Sequence, residues 1–295
     1  MARLAEWVAG ARPRTLPAAL APVLAGSGAA ALVDSFAPGP ALLALVVALG
    51  LQIGVNYAND YSDGIRGTDE VRVGPARLVG SGVAAPAQVR QAALAAVLVA
   101  VVAGSVLAAT TSWWLLPIGA ACVAAAWAYT GTAHPYGYLG LGEVFCFCFF
   151  GLVAVCGTTY VQAERVTADS VLAAVGVGAL ACAILVANNL RDLPTDDAAG
   201  KRTLAVRLGE SRTRLLYVAL HLMPMAMLIQ LALPEPWTLL GLVALPLQVR
   251  AVVAVLRGAN GEALLPVLRD TALAELAWAA GVAVGLVLAL SLTAP

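Results

Sequence analysis

The stretch SVLAAVGVGALACAILVANNLRDLPTDD, residues 170–197, passes from an unbroken apolar run into a crowd of amides and carboxylates. A bilayer core of ~30 Å takes ~20 apolar residues of helix, and residues 170–189 supply that length. The run reads as a membrane-spanning helix. It ends on Asn188 and Asn189, amides that are costly in hydrocarbon unless paired. Asp192 and Asp196 follow Asn188 at i+4 and i+8, so the three share one face if the helix survives Pro194. That proline could instead end the helix or sit in the first turn of a new one. Either way, carboxylates stand at a membrane boundary.

The rest of the chain has the same character. Of 295 residues 61% are hydrophobic and only 12% charged, with a mean hydropathy of +0.88. A soluble domain carries roughly a quarter charged residues, whereas a lipid-facing surface needs no polar cover. Nine spans are expected, near 16–34, 40–58, 88–109, 113–131, 142–162, 170–189, 213–233, 237–256 and 271–293. They form a single all-α domain over residues 1–295. Pro and Gly mark the span ends, and the tight link at Thr110–Ser112 makes the third and fourth spans a hairpin.

Nine spans put the termini on opposite sides. With the N-terminus in the cytoplasm and the C-terminus outside, Arg165 is the one basic residue among 17 Lys and Arg that falls outside, as the positive-inside rule asks. Segments 59–87 and 190–212 then both face the cytoplasm. No cleavable signal peptide is evident, and a bacterial cell membrane is the expected location. Cys122, Cys146, Cys148, Cys156 and Cys182 all fall in apolar segments without a redox or zinc spacing and read as packing residues.

The first acidic segment mirrors the second, 132 residues earlier when counted from Asp60 to Asp192. Asn56, Asp60 and Asp63 are spaced i, i+4, i+7 on one helix face, with Asn59 beside them. Gly64 and Gly67 let the chain turn so that Asp69 can fold back toward the same point. Mg²⁺ prefers hard oxygen donors, usually a few carboxylates with waters and substrate phosphate oxygens. Two facing banks of carboxylates can therefore hold metal ions and a diphosphate between them. The expected metal ligands are Asp60, Asp63, Asp69, Asp192 and Asp196, with Asp60, Asp63, Asp192 and Asp196 as the catalytic set. Asn56, Asn59, Arg66, Arg77, Asn188, Lys201 and Arg202 are the expected diphosphate-binding groups, Arg suiting bidentate contacts and Lys acting as a point charge.

Particular motifs bring a family resemblance. They are Arg12-Pro13-Arg14-Thr15-Leu16-Pro17, Asn59-Asp60-Tyr61-Ser62-Asp63 with Gly67-Thr68-Asp69, Gly74-Pro75-Ala76-Arg77, His134-Pro135-Tyr136-Gly137-Tyr138-Leu139-Gly140-Leu141-Gly142-Glu143, Asn188-Asn189-Leu190-Arg191-Asp192 and Gly200-Lys201-Arg202-Thr203-Leu204-Ala205. On these the chain resembles the UbiA superfamily of intramembrane aromatic prenyltransferases, and within it the branch that prenylates 1,4-dihydroxy-2-naphthoate on the route to menaquinone. One departure is that the general NDxxDxxxD pattern asks for an acid where Gly67 stands, and Asp69 is supplied instead. The resemblance implies a nine-helix bundle around a central cavity with its active site on the cytoplasmic side. It implies Mg²⁺ as cofactor, and a polyprenyl diphosphate, an aromatic acceptor (1,4-dihydroxy-2-naphthoate) and membrane lipids as partners, with no nucleic acid. The acceptor would lose its carboxylate as it is prenylated, giving demethylmenaquinol.

Tyr129, His134, Tyr138 and Glu143, clustered between the fourth and fifth spans, are candidates for binding the acceptor. The alternative is an interfacial aromatic belt with Glu143 as an end cap. Phe145, Phe147, Phe149 and Phe150 read as packing or as the lining of a tail tunnel, and His221 as a hydrogen-bonded helix residue. A secondary transporter would place ionisable residues near mid-span, whereas nearly all charges here gather at one membrane face. A transferase using a CDP-alcohol would show a DGxxAR…GxxxDxxxD array, which is absent. Sister prenyltransferases acting on hydroxybenzoate, homogentisate or chlorophyllide remain as alternatives.

Overall fold

The computed structural model describes residues 2–67 and 77–293, and these form helices and turns with no strand. In chain order the helices are α1 Leu4–Gly10, α2 Pro17–Leu32, α3 Pro38–Ile65, α4 Pro86–Thr110, α5 Leu115–Ala128, α6 Gly142–Ala163, α7 Ala168–Ala198, α8 Leu204–Ala232, α9 Pro236–Leu256 and α10 Leu264–Thr293. Seven are long and apolar enough to cross a membrane, and an eighth span arises if α1 and α2, which meet at 49°, count together. The chain is a multi-pass membrane protein. The expected fourth span, 113–131, is the short one. Its helix α5 has 14 residues, about 21 Å at 1.5 Å per residue, and just past its end Thr130 Oγ1 donates to Asn59 Oδ1 at 2.7 Å.

The quoted stretch becomes α7, and it is the most enclosed span, 72% buried in its apolar window. Its start is fixed by reciprocal capping. Ser170 N donates to Thr167 Oγ1 and Thr167 N donates to Ser170 Oγ, both at 3.0 Å, which satisfies orphan donors of the first turn. The helix continues through Pro194 to Ala198, so Asn188, Asp192 and Asp196 do share a face. Most of 190–212, expected as a loop, is therefore helical, broken by a turn at Gly200 (φ 73°) and a kink at Gly209 (φ 75°). The first acidic segment likewise stays helical as far as Ile65.

Helix α7 packs on α6, α8 and α10, while α3 pairs with α4 and α2 lies against α10. Two apolar clusters fill the half built from α7 to α10, one around Leu180, Leu228 and Trp278 and one around Val186, Tyr217 and Val255. Buried His221 and Gln248 lie between them in sequence on their helices, and buried Glu275 lies within the first. The His221 ring is hydrogen-bonded through Nδ1 to the Tyr217 carbonyl at 2.9 Å, a packed helix residue as expected. All five cysteines are free thiols.

In α6 the turns widen to a π-helix over Phe147–Cys156, a feature that often marks functional sites. There α6 and α7 come into backbone contact at Gly151 and Gly178. A Cβ added to Gly151 would lie 2.7 Å from both the Ala174 carbonyl oxygen and the Gly178 Cα. Replacing Gly151 with Val forces the helices apart, and overpacking of this kind costs about 1–3 kcal/mol. The expected result is a clearly lower midpoint for thermal aggregation of the detergent-solubilised protein. An unchanged midpoint would show that this contact is dispensable.

Candidate active site

The C-terminal ends of α3 and α7 open onto one cavity of about 780 Å³. Asn56, Asn59, Asp60 and Asp63 from α3 line it together with Asn188, Asp192 and Asp196 from α7. A helix C-terminus carries the negative end of the backbone dipole, so each bank of acids adds charge where charge is already unfavourable. Cations answer it. Lys201 Nζ stands 3.7 Å from Asp63 Oδ1 and 3.8 Å from Asp196 Oδ1, joining the two banks. Arg77 Nη1 lies 3.3 Å from Asp63 Oδ2. Arg191 grips Asp192 with two bonds of 2.7 Å, Nε to Oδ1 and Nη2 to Oδ2.

Local backbone geometry explains why these groups meet. At φ 73° Gly200 turns the chain, Lys201 N donates to the Asp196 carbonyl at 2.8 Å, and Arg202 N donates to the Tyr138 carbonyl at 3.0 Å. Tyr138 is thus held beside Lys201, its hydroxyl donating to Asp63 Oδ1 at 2.6 Å and its ring 4.8 Å from Lys201 Nζ. Asp60 acts differently from its neighbours. Its carboxylate accepts from Leu78 N at 2.8 Å and Val79 N at 3.0 Å, which ties down the segment that begins with Arg77.

Several expected residues take other places. Arg66 reaches the Thr130 and Thr132 carbonyls and the outer side of the Tyr138 ring, away from the cavity lining. Arg202 is exposed and pairs with Asp197 at 3.5 Å. His134 is exposed on the loop after α5. Glu143 is buried behind the wall, accepting from Asn189 Nδ2 at 3.0 Å. Tyr129 and Tyr138 do line the cavity. Asp69, with Gly74–Ala76, lies outside the described residues. Arg12, Arg14, Arg191 and Arg269 line the cavity as well. None had been given a role by spacing, although Arg12 and Arg14 stand in a quoted motif and Arg191 adjoins Asp192.

Below the mouth the cavity turns apolar and aromatic. Tyr129 meets Tyr136 edge-on at 5.4 Å, Tyr136 stacks on Phe145 at 4.1 Å, and Phe145 on Phe149 at 6.0 Å. Burial pushes the Tyr136 phenol above its ordinary pKa, so it stays a hydroxyl. Phe145, Phe149 and Phe150 line the cavity, as a tail tunnel requires, whereas Phe147 packs toward Gly178.

Two facing carboxylate banks, a bridging cation and an apolar tunnel form one continuous space, and residues 19–273 match the profile of the UbiA prenyltransferase family. The chain belongs to that family. It is 56% identical to the 1,4-dihydroxy-2-naphthoate octaprenyltransferase of Mycobacterium tuberculosis, over 96% of this chain and 97% of that protein. Its identity to the Escherichia coli protein of the same name is 37%, over 92% and 91%. The fold is shared with a UbiA homolog from Archaeoglobus fulgidus solved with DMAPP and Mg²⁺, at a TM-score of 0.60 and 14% identity over 95% of this chain and 99% of that one.

Among the described residues no three His, Cys, Asp or Glu side chains converge closely enough to cage a metal. Mg²⁺ does not require such a cage, since one or two carboxylates with waters and phosphate oxygens suffice. The donor set fits it, because Asp63 and Asp196 already share one cation, the Lys201 ammonium, between the banks. The two backbone bonds to Asp60 are separately testable. Bonds to a charged acceptor contribute about 1.5–3 kcal/mol each. Asp60→Ala is therefore expected to open the 77–85 segment, with trypsin cleavage after Arg77 faster by roughly a hundredfold or more. Equal cleavage rates would exclude Asp60 as the tether.

Proposed function

We propose that this UbiA-family chain transfers a polyprenyl group from a polyprenyl diphosphate to 1,4-dihydroxy-2-naphthoate, releasing diphosphate and carbon dioxide and giving demethylmenaquinol. The observation that carries this reading is the cavity itself, charged at the mouth and apolar and aromatic below. It suits a substrate with a diphosphate head and an isoprenoid tail. The relatives named for this reaction over nearly the full chain support the choice of acceptor.

In this reading Lys201 and Arg77 hold the diphosphate head at the mouth, where both side chains are about nine-tenths buried. Mg²⁺ held by Asp63 and Asp196, with Asp60, Asp69 and Asp192 as further ligands, would supply positive charge that favours departure of the diphosphate. A carboxylate has about four lone-pair sites, so the bonds already made by Asp60 and Asp192 do not exhaust them. Tyr138 fixes Asp63 through its hydroxyl and stands beside Lys201. As the carbon–oxygen bond breaks, its electron pair leaves with the diphosphate and an allylic cation remains. Tyr129, Tyr136 and Phe145 present π-faces to that cation and exclude water from it. The electron-rich ring then attacks the allylic carbon and loses its carboxylate. The Lys and Arg bias supports a cytoplasmic mouth, with the N-terminus inside and the C-terminus outside.

The test uses membranes containing the chain, a labelled polyprenyl diphosphate, Mg²⁺ and a panel of aromatic acceptors. Prenylated naphthol lacking the carboxyl group is expected, with activity lost on chelation and restored by Mg²⁺. Asp63→Ala and Asp196→Ala should each lower kcat/KM by roughly a hundredfold or more, about 2.7 kcal/mol of transition-state stabilisation. Lys201→Ala should raise the donor KM about tenfold. Preference for hydroxybenzoate or homogentisate would overturn the acceptor. Full activity in both aspartate variants would overturn the site.

A further inference from the structure

The chain between α1 and α2 adds a further arrangement to the wall of the same cavity. Arg12 has a left-handed backbone, φ 54° and ψ 69°, which L residues other than Asn and Asp rarely adopt without support. The support is visible. Thr15 Oγ1 donates to the Arg12 carbonyl at 2.9 Å, and Asn56 Nδ2 donates to the preceding Ala11 carbonyl at 3.0 Å and to Thr15 Oγ1 at 3.1 Å. Backbone held in a sparsely populated region by surrounding bonds is characteristic of ligand clamps. Here it presents Arg12 on the cavity wall.

Gln52 gives a second, independent observation. It lines the same cavity and is 7% exposed. Its Nε2 donates to Thr15 Oγ1 at 2.9 Å. Because the Thr15 proton is spent on the Arg12 carbonyl, Thr15 can only accept from Gln52, which fixes the amide orientation. The Gln52 Oε1 is left buried with no partner among the described residues. A buried carbonyl in that state is a standing demand for a donor.

We infer that Arg12 and Gln52 form the subsite for the aromatic acceptor, Arg12 taking its carboxylate and Gln52 Oε1 accepting from a ring hydroxyl. This rests on the proposed function. Arginine offers a planar fork that matches a carboxylate with two bonds. A phenolic hydroxyl supplies the donor that Gln52 lacks. The placement also suits the reaction. Gln52 lies eight residues before Asp60 on α3, about 12 Å deeper along the helix axis, so the ring sits below the diphosphate and beside the start of the isoprenoid tail. Of the four residues expected to bind the acceptor, Tyr129 and Tyr138 line the cavity, whereas His134 and Glu143 are not on its wall.

The experiment has a binding arm and a turnover arm, both on the full chain in detergent with MgCl₂. In the binding arm, inorganic diphosphate is added and 1,4-dihydroxy-2-naphthoate is titrated calorimetrically against 1,4-dihydroxynaphthalene, which lacks the carboxylate. Wild type should prefer the naphthoate, and Arg12→Gln should reduce that preference by roughly 10- to 100-fold. Arg12→Lys, which keeps the charge but not the fork, should fall between them, and it serves if the glutamine variant does not survive solubilisation. Gln52→Leu should weaken both naphthols alike and leave their ratio unchanged. A wild-type preference in either Arg12 variant overturns the subsite. In the turnover arm, wild type that binds the naphthoate through Arg12 without prenylating it overturns the proposed function and leaves the subsite standing.

Discussion

Four carboxylates sit at the negative ends of two helices, at the mouth of an apolar cavity, and a cation or a pair of backbone amides meets each of them. Two unit charges 4 Å apart interact by about 4 kcal/mol at an effective dielectric near 20, so the position of each cation matters. Lys201 lies within that range of both banks. The left-handed turn at Gly200, the bond from Arg202 to the Tyr138 carbonyl and the tether from Asp60 to Leu78 and Val79 all fix where cations stand. The mouth is therefore balanced by groups already in place, the ones with which, on the proposed function, an incoming diphosphate would exchange partners.

Beneath that balanced mouth the environment changes within two or three helical turns. Charged residues give way to Tyr129, Tyr136, Phe145 and Phe149, and then to the aliphatic walls of α3, α4 and α5. The gradient matches a molecule that is ionic at one end and hydrocarbon at the other. It also places the leaving group and the cation it leaves behind in different surroundings, one polar and one dry, which a solvent cannot do.

The fold was largely legible because a bilayer forces helices on any apolar chain. Residues 170–197 showed both the span and its acidic end, and equal spacing tied Asn56, Asp60 and Asp63 to Asn188, Asp192 and Asp196. Less legible was anything decided by which way a side chain turns after the helix ends. Arg66 and Arg202 flank the acids in sequence, yet one reaches carbonyls after α5 and the other faces solvent. Arg191 could not be distinguished from a loop cation until Pro194 proved to lie inside a continuing helix. Asp60 looked like its neighbours by spacing and differs from them by its backbone partners. Glu275 sits in an apolar run with nothing nearby in sequence to mark it, and both its oxygens are buried without a partner among the described residues.

The backbone contact of Gly151 with Gly178 bears on how the tunnel copes with tails of different bulk. At that contact no rotamer can change to make room, so this point of the α6–α7 wall is fixed, while the phenylalanines around it can turn. The α5 wall, by contrast, meets the cavity through the side chains of Leu115, Ile118 and Cys122. Any change in the calibre of the cavity must therefore come from walls lined by side chains, such as this one, and not from the Gly151–Gly178 contact.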